Sequence, residues 1–182
     1  DLLAPKAKTV AYTYIGSELT WPIYWEGTLG KAKADLDRAS GEIQQKLQSI
    51  GGDARVAVLK AIVSQASAAI PVVPLYAALL FQVMKEQGSH EECIEHIDRL
   101  FVSQLLTGTS MRLDDSGRIR VDDLELAEPV QAEVKRRWPL VDTENLPQLG
   151  DLAGFRADFL KIFGFGIDGV DYDADVDPQR II

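Results

Sequence analysis

Residues 55–63, Arg55-Val56-Ala57-Val58-Leu59-Lys60-Ala61-Ile62-Val63, form an apolar run with almost no polar alternation. A strand with one wet face alternates apolar and polar residues, so this run predicts a strand covered on both faces, as in a parallel sheet. Thr9 to Tyr14 reads as a first, β-rich strand. Between them a helical pattern starts near Leu29, continues through Ala39, Ile43 and Leu47, and stops at Gly51-Gly52. A helix of about 20 residues is the right length for a right-handed crossover between parallel neighbours. The expected fold is therefore α/β, the second half of a doubly wound parallel-sheet domain.

Beyond Val63, Ser64 to Ala69 is a small-residue loop, and Pro71 to Gln87 makes a helix too apolar to face water. Ligands of doubly wound sheets bind past the carboxyl ends of the strands, so the turn after Val63 is expected to line a cofactor crevice. A capped helix is predicted from Ser89 to about Leu106, with Cys93, Ile94, Ile97, Leu100 and Phe101 on one stripe. Asp114-Asp115-Ser116-Gly117 is a turn, after which composition shifts. Arg118 to Leu126 reads as a short strand, Pro129 opens a helix through Trp138, and Asp151 to Phe163 makes another. The division expected is 1–108 for the doubly wound portion and 109–182 for a small, mainly helical C-terminal subdomain.

Composition excludes several classes. The 182 residues are 46% hydrophobic and 26% charged, enough for a substantial core, and the net charge of −9 with no basic stripe argues against nucleic acid. No window approaches the roughly 18 uninterrupted apolar residues of a membrane span, and no signal peptide is visible. One cysteine cannot form an internal disulfide, and a reducing cytoplasm is the simplest home.

Three motif-like strings do not survive scrutiny. His90-x2-Cys93-x2-His96 has an approachable helical geometry for a metal, but Cys93 sits in the apolar stripe and no fourth ligand is near, so no metal is assigned. Gly164-Phe165-Gly166-Ile167-Asp168-Gly169 matches G-x-G-x-x-G as a string, yet it follows a helix and leads into Asp171, Asp173, Asp175 and Asp177, which would repel a pyrophosphate. Those aspartates in turn lack the glycine and closing glutamate of a calcium loop.

Tyr24 and Lys33 carry more chemistry. A cation near a phenol stabilises the phenolate and lets the hydroxyl support an oxyanion forming in a transition state. Trp21, Ile23 and Trp25 are expected to keep the pair dry. In one unbroken helix, nine residues rotate the chain by about 900° and place the two side chains on opposite faces. Cooperation therefore demands a backbone break between them, which Gly27 and Gly30 permit. Spacing alone equally allows an interfacial tyrosine and a solvated lysine.

Longer strings supply a resemblance. Tyr12-Thr13-Tyr14-Ile15-Gly16-Ser17-Glu18, Trp21-Pro22-Ile23-Tyr24-Trp25 and Gly27-Thr28-Leu29-Gly30-Lys31-Ala32-Lys33 resemble the catalytic segment of the trans-2-enoyl-thioester reductases. That family comprises V-type enoyl-[acyl-carrier-protein] reductases and trans-2-enoyl-CoA reductases, with a Tyr-x8-Lys pair in place of the Tyr-x3-Lys of short-chain dehydrogenases. Ser64 to Tyr76, Arg120 to Asp123, Thr143 to Leu146, Phe159 to Phe165 and Val170 to Val176 extend the match in order. The resemblance implies a Rossmann-like, short-chain-dehydrogenase-like domain. Members are about twice as long and carry their phosphate-binding glycine turn in an N-terminal half. The chain, starting at Asp1 without Met, is thus expected to be a C-terminal portion, inactive alone.

The implied reaction is NADH-dependent reduction of the trans-2 double bond of enoyl thioesters in bacterial fatty-acid synthesis. Tyr24 and Lys33 are the implied catalytic residues, with Tyr14 contacting the thioester carbonyl. Lys33, Ile62, Val63 and Ser64 are the implied NADH contacts. No flavin is assigned, although the family's C-terminal region has been labelled flavin-binding. Two rivals stay open: a carbonyl or alcohol dehydrogenase using the same pair, and a silent acyl-thioester-binding module. Implied partners are an acyl-carrier-protein or CoA thioester and the missing N-terminal half, with no membrane and no nucleic acid, in a monomer. Lys135-Arg136-Arg137 is a candidate landing patch for an acidic carrier protein.

Overall fold

The computed structural model describes residues 3–106 and 111–179. Strand β1 (Lys8–Thr13) feeds a turn-rich segment and then helix α1 (Thr28–Leu47), which returns the chain to β2 (Asp53–Val58). The two strands pair in parallel, from Lys8 opposite Asp53 to Thr13 opposite Val58. Helices α2 (Gln65–Ala69), α3 (Val73–Glu86) and α4 (Cys93–Leu100) follow, then β3 (Ile119–Arg120), which adds to the other side of β2, again parallel. Helices α5 (Glu128–Arg137), α6 (Leu146–Leu149) and α7 (Leu152–Lys161) complete the α/β arrangement.

The central strand is shorter than the apolar run predicts, ending at Val58 instead of Val63. The ladder stops because β1 leaves it after Thr13, whose carbonyl accepts the last such bond, from Leu59 N–H at 2.9 Å. The amides beyond are satisfied by side chains: Lys60 N–H by His96 Nε2 at 3.2 Å and Ala61 N–H by Glu125 Oε2 at 2.5 Å. Residues 59–63 therefore stay buried without being a strand.

Helix α3 forms the core as its composition requires. Tyr76 through Phe81, Val83 and Met84 are each at most 2% exposed. Complete burial of one such large apolar side chain is worth about 1.5–3 kcal/mol. Val130 and Val134 of α5 and Phe155 of α7 share this cluster with Ala61 and Val63, so the C-terminal elements pack on the same core as the strand extension. The expected division at 108/109 falls outside the described residues.

Helix α4 differs from its expected stripe. It begins at Cys93, where Glu92 and Glu95 form a reciprocal cap, and gives way at Phe101–Leu105 to one wide turn of π-helix. His96 and Leu100, one turn apart, face inward, while Cys93, Ile94 and Phe101 are exposed, Ile94 to 83%. With His96 bound to the Lys60 amide, Ile97 and Leu100 pack inward beside it while the rest of the expected stripe points to solvent. Both His96 nitrogens are engaged, the second with Glu91 at 3.0 Å, and His90 stacks edge-on against Phe81 at 5.0 Å. The three residues do not converge on one point.

Gly164 to Gly169 lies in turns after α7 and, among the described residues, is followed by no helix. The Tyr172 hydroxyl closes it, donating to Gly164 O at 2.8 Å and accepting from Ile167 N–H at 2.9 Å. Among the described residues, no helix is long and apolar enough to cross a membrane.

Candidate active site

Residues 14–27 make the site possible by not being a helix. Thr20 O accepts from Tyr24 N–H at 2.9 Å and Trp21 O from Glu26 N–H at 2.9 Å, forming a compact turn that ends before α1 starts at Thr28. Gly30 N–H then reaches back across the break to Tyr24 O at 3.1 Å. This approach needs glycine: a β-carbon on residue 30 would lie 1.6 Å from Trp25 O. Gly16 is similarly constrained, because its φ is +73° and a β-carbon would sit 2.8 Å from the Tyr14 ring.

The break turns Tyr24 and Lys33 to one cavity of about 180 Å³ beyond the ends of β1 and β2. Tyr12, Tyr14, Ala61, Ile62, Ser64 and Val73 also line it. Tyr24 is 6% exposed, and its ring meets Tyr14 edge-on, 5.2 Å between centroids. Lys33 is half-buried whereas Lys31 is exposed. Among the described residues Lys33 has no hydrogen-bond or ion-pair partner, so its ammonium is available to an anionic group. Of the expected dry wall, Trp21 and Trp25 are partly buried but Ile23 points outward, 44% exposed.

Burial pushes the Tyr24 phenol above its ordinary pKa, opposite to the lowering expected from Lys33. Desolvation outweighs any field from the lysine, and Tyr24 remains a protonated donor at neutral pH. Tyr14 is raised well above the usual range, first by burial and then by the Glu125 carboxylate that accepts its hydroxyl proton at 2.9 Å. Its proton is thus directed away from the cavity.

The family models divide the chain at the same place as the composition shift. Residues 1–106 match the trans-2-enoyl-CoA reductase catalytic region, and residues 113–176 match the enoyl reductase FAD binding domain. The chain belongs to the trans-2-enoyl-CoA reductase family. A relative named enoyl-[acyl-carrier-protein] reductase [NADH], from Tolumonas auensis, is 60% identical over 98% of this chain and 45% of its own length. One of the same name from Opitutus terrae is 55% identical with the same coverage. The crystal structure of Treponema denticola trans-2-enoyl-CoA reductase in complex with NAD superposes with a TM-score of 0.88 at 44% identity, covering 100% of this chain and 45% of that one. The chain thus spans about half the length of the relatives it matches.

Within this family member, the cavity gathers Tyr14, Tyr24, Lys33, Ile62 and Ser64, all residues singled out from sequence. Val63 is the exception. It packs into the α3 core and borders a second cavity, of about 230 Å³, on the other side of the 60–63 segment. Ile62 borders both cavities, whereas Val63 borders only the second. The basic string at the end of α5 is also spoken for: Lys135 pairs with Glu18 at 2.9 Å, Arg136 with Glu133 at 2.7 Å, and Arg137 is buried between Glu86 and Glu133. Sequence reading missed Glu125 and Lys60, both within 1% of complete burial. Lys60 had a signal, as the one charge inside the apolar run after Arg55.

Proposed function

We propose that this chain is the catalytic portion of an NADH-dependent reductase of trans-2-enoyl thioesters. The observation that carries the reading is the single cavity shared by Tyr24 and Lys33 across a non-helical break. The printed names of the relatives, with NADH as reductant and enoyl thioesters as substrates, support it. Parallel strands joined by a helical crossover support the second half of a Rossmann-like, doubly wound domain in residues 1–108. Residues 109–182 then form a C-terminal region that shares its core. The unmatched length of the relatives supports an N-terminal half that brings the phosphate-binding turn.

The residues present fit the nicotinamide end of the cofactor. Ile62, Ile70 and Val73 offer an apolar wall to a flat ring, the backbone near Ile62 and Ser64 offers polar groups, and the unpaired Lys33 suits the anionic and ribose portion. NADH, when bound, would supply the hydride for the double bond, and the site must then meet the negative charge that reduction places on the thioester oxygen. Tyr24, kept protonated by burial, donates to that oxygen and stabilises the enolate. Lys33 contributes a positive charge on the same cavity. Tyr14, with its proton held by Glu125, fixes the Tyr24 ring by edge contact instead of donating to the carbonyl. A monomeric cytoplasmic enzyme of fatty-acid synthesis, using an acyl-carrier-protein or CoA handle, is the biological setting that this chemistry fits.

The test is a full-length reductase whose C-terminal portion is this chain. It is expected to bind NADH by calorimetry and to oxidise it with crotonyl thioesters, not with simple ketones. Turnover of ketones alone would identify a carbonyl dehydrogenase, and failure to bind NADH would leave only the acyl-thioester-binding module.

A further inference from the structure

Glu125 is fully buried and belongs to no segment that the sequence marked as functional. Its Oε1 accepts from the Tyr14 hydroxyl at 2.9 Å and from the Tyr76 hydroxyl at 2.8 Å, and its Oε2 accepts from Ala61 N–H at 2.5 Å. Gln131 Nε2 braces the arrangement, donating to Tyr76 Oη at 3.1 Å and to Glu125 O at 2.7 Å. Every group facing the carboxyl oxygens is a donor. The cation that acts on its charge is Lys60, 1% exposed, whose Nζ donates to Ala61 O at 3.2 Å and lies 5.1 Å from the Phe81 ring centroid. Behind it, His96 binds the Lys60 amide and Glu91 faces His96.

A buried carboxylate costs several kcal/mol of desolvation, which well-placed donors and a cation offset. A purely structural anchor could draw its donors from anywhere in the core. Here two of the three, Tyr14 and Ala61, line the Tyr24–Lys33 cavity, and they come from two different segments of its lining: the one that follows β1 and the one that follows β2. We propose that Glu125 is a positioning residue for the reduction, tying the Tyr14 hydroxyl to the Ala61 amide so that the aromatic support of Tyr24 and the Ile62 segment keep one spacing. This rests on the proposed reductase function. It also assigns the Tyr14 proton to Glu125, so that of the edge-packed pair Tyr14 and Tyr24 it is Tyr24 that donates to substrate. Burial raises the Glu125 pKa, while the Ala61 amide, Tyr76, Tyr14 and Lys60 act in the opposite direction.

The test is a double-mutant cycle in the full-length reductase, with kcat and the KM for NADH measured for Glu125→Gln, Tyr14→Phe and the pair. Because Gln keeps the shape but puts an amide donor against donors, Glu125→Gln should lower kcat by about 10- to 100-fold, the cost of sub-ångström to 1 Å misplacement. The pair should lose little more than the worse single variant. A substrate-independent readout accompanies it. In an ultraviolet titration of tyrosinate, the signal absent from Tyr14→Phe should move to lower pH in Glu125→Gln, because one cause of its elevation is gone. Fully additive losses, unchanged kcat, or an unmoved Tyr14 titration would overturn the proposal. If Glu125→Gln does not fold, Tyr14→Phe is compared with Tyr76→Phe: each removes one Oε1 donor, and equal losses of kcat would overturn it. No turnover of enoyl thioesters by the unaltered enzyme refutes the functional reading instead, and the Tyr14 titration still decides the Glu125–Tyr14 link.

Discussion

Replacing Gly30 with alanine should disable the site without touching a chemical group in it. The added β-carbon would lie 1.6 Å from Trp25 O, whereas real β-carbons essentially never come under 3.0 Å, so the turn and the helix must part by at least the difference, 1.4 Å. The obstacle is backbone, which no rotamer change can clear. Tyr24 sits on one side of that contact and Lys33 on the other, and the Gly30 N–H bond to Tyr24 O at 3.1 Å is lost as they separate. A displacement of about 1 Å can cost 10²-fold in rate, so kcat should fall by about 10² or more. Stability should fall by about 1–3 kcal/mol from overpacking, partly offset by up to about 1 kcal/mol from alanine's helix preference. Gly41, in the same helix with nothing within 4 Å of its would-be β-carbon, is the control. Gly41→Ala should stabilise by up to about 1 kcal/mol and leave turnover unchanged. The assay is NADH oxidation with a crotonyl thioester in the full-length reductase, alongside thermal melting. Near-normal kcat in a folded Gly30→Ala enzyme would refute the geometry.

Lys33→Ala should weaken both NADH binding and kcat, while Lys31→Ala, at an exposed position, should do much less; equal losses would transfer the role. His90, whose pKa burial lowers to about 4 from 6.5, is held neutral in the folded state, so its contribution is present above pH 6.5 and lost as pH falls toward 4. Discounted for a partly exposed ring, the loss is about 1–2 kcal/mol, and denaturant titrations at both ends should show His90→Gln with a flatter profile; an equally steep loss would contradict this. Residues 1–182 alone should not oxidise NADH with an enoyl thioester, because no strand–turn–helix segment among the described residues supplies a glycine-rich pyrophosphate turn; a monomeric, active preparation would disprove it.

Local patterns carried much of this fold. The apolar run at 55–63 and the helix between two glycine pairs were enough to foresee parallel β1 and β2 with a crossover, and the nine-residue spacing demanded a break only if Tyr24 and Lys33 were to share a site. What misled was the assumption that an unbroken apolar run is all strand. Leu59, Ala61 and Val63 are apolar because they are buried in the core, while amides of the segment are held by His96 and Glu125 from distant parts of the chain. Of the stripe expected on α4, Ile97 and Leu100 pack inward but Cys93, Ile94 and Phe101 do not, since a histidine bonded to a backbone amide 36 positions away shares the inward face. Glu125 was illegible because nothing local distinguishes it from a surface glutamate; its partners lie 49, 64 and 111 positions away.

The most direct test of the account is Tyr24→Phe in the full-length reductase, with crotonyl-thioester turnover and NADH affinity measured on the same preparation. The structure places the phenol in the shared cavity with burial keeping it protonated, so kcat should fall by about 10² to 10⁴, the worth of a positioned proton donor, with NADH affinity nearly unchanged. Turnover close to that of the unaltered enzyme would contradict it.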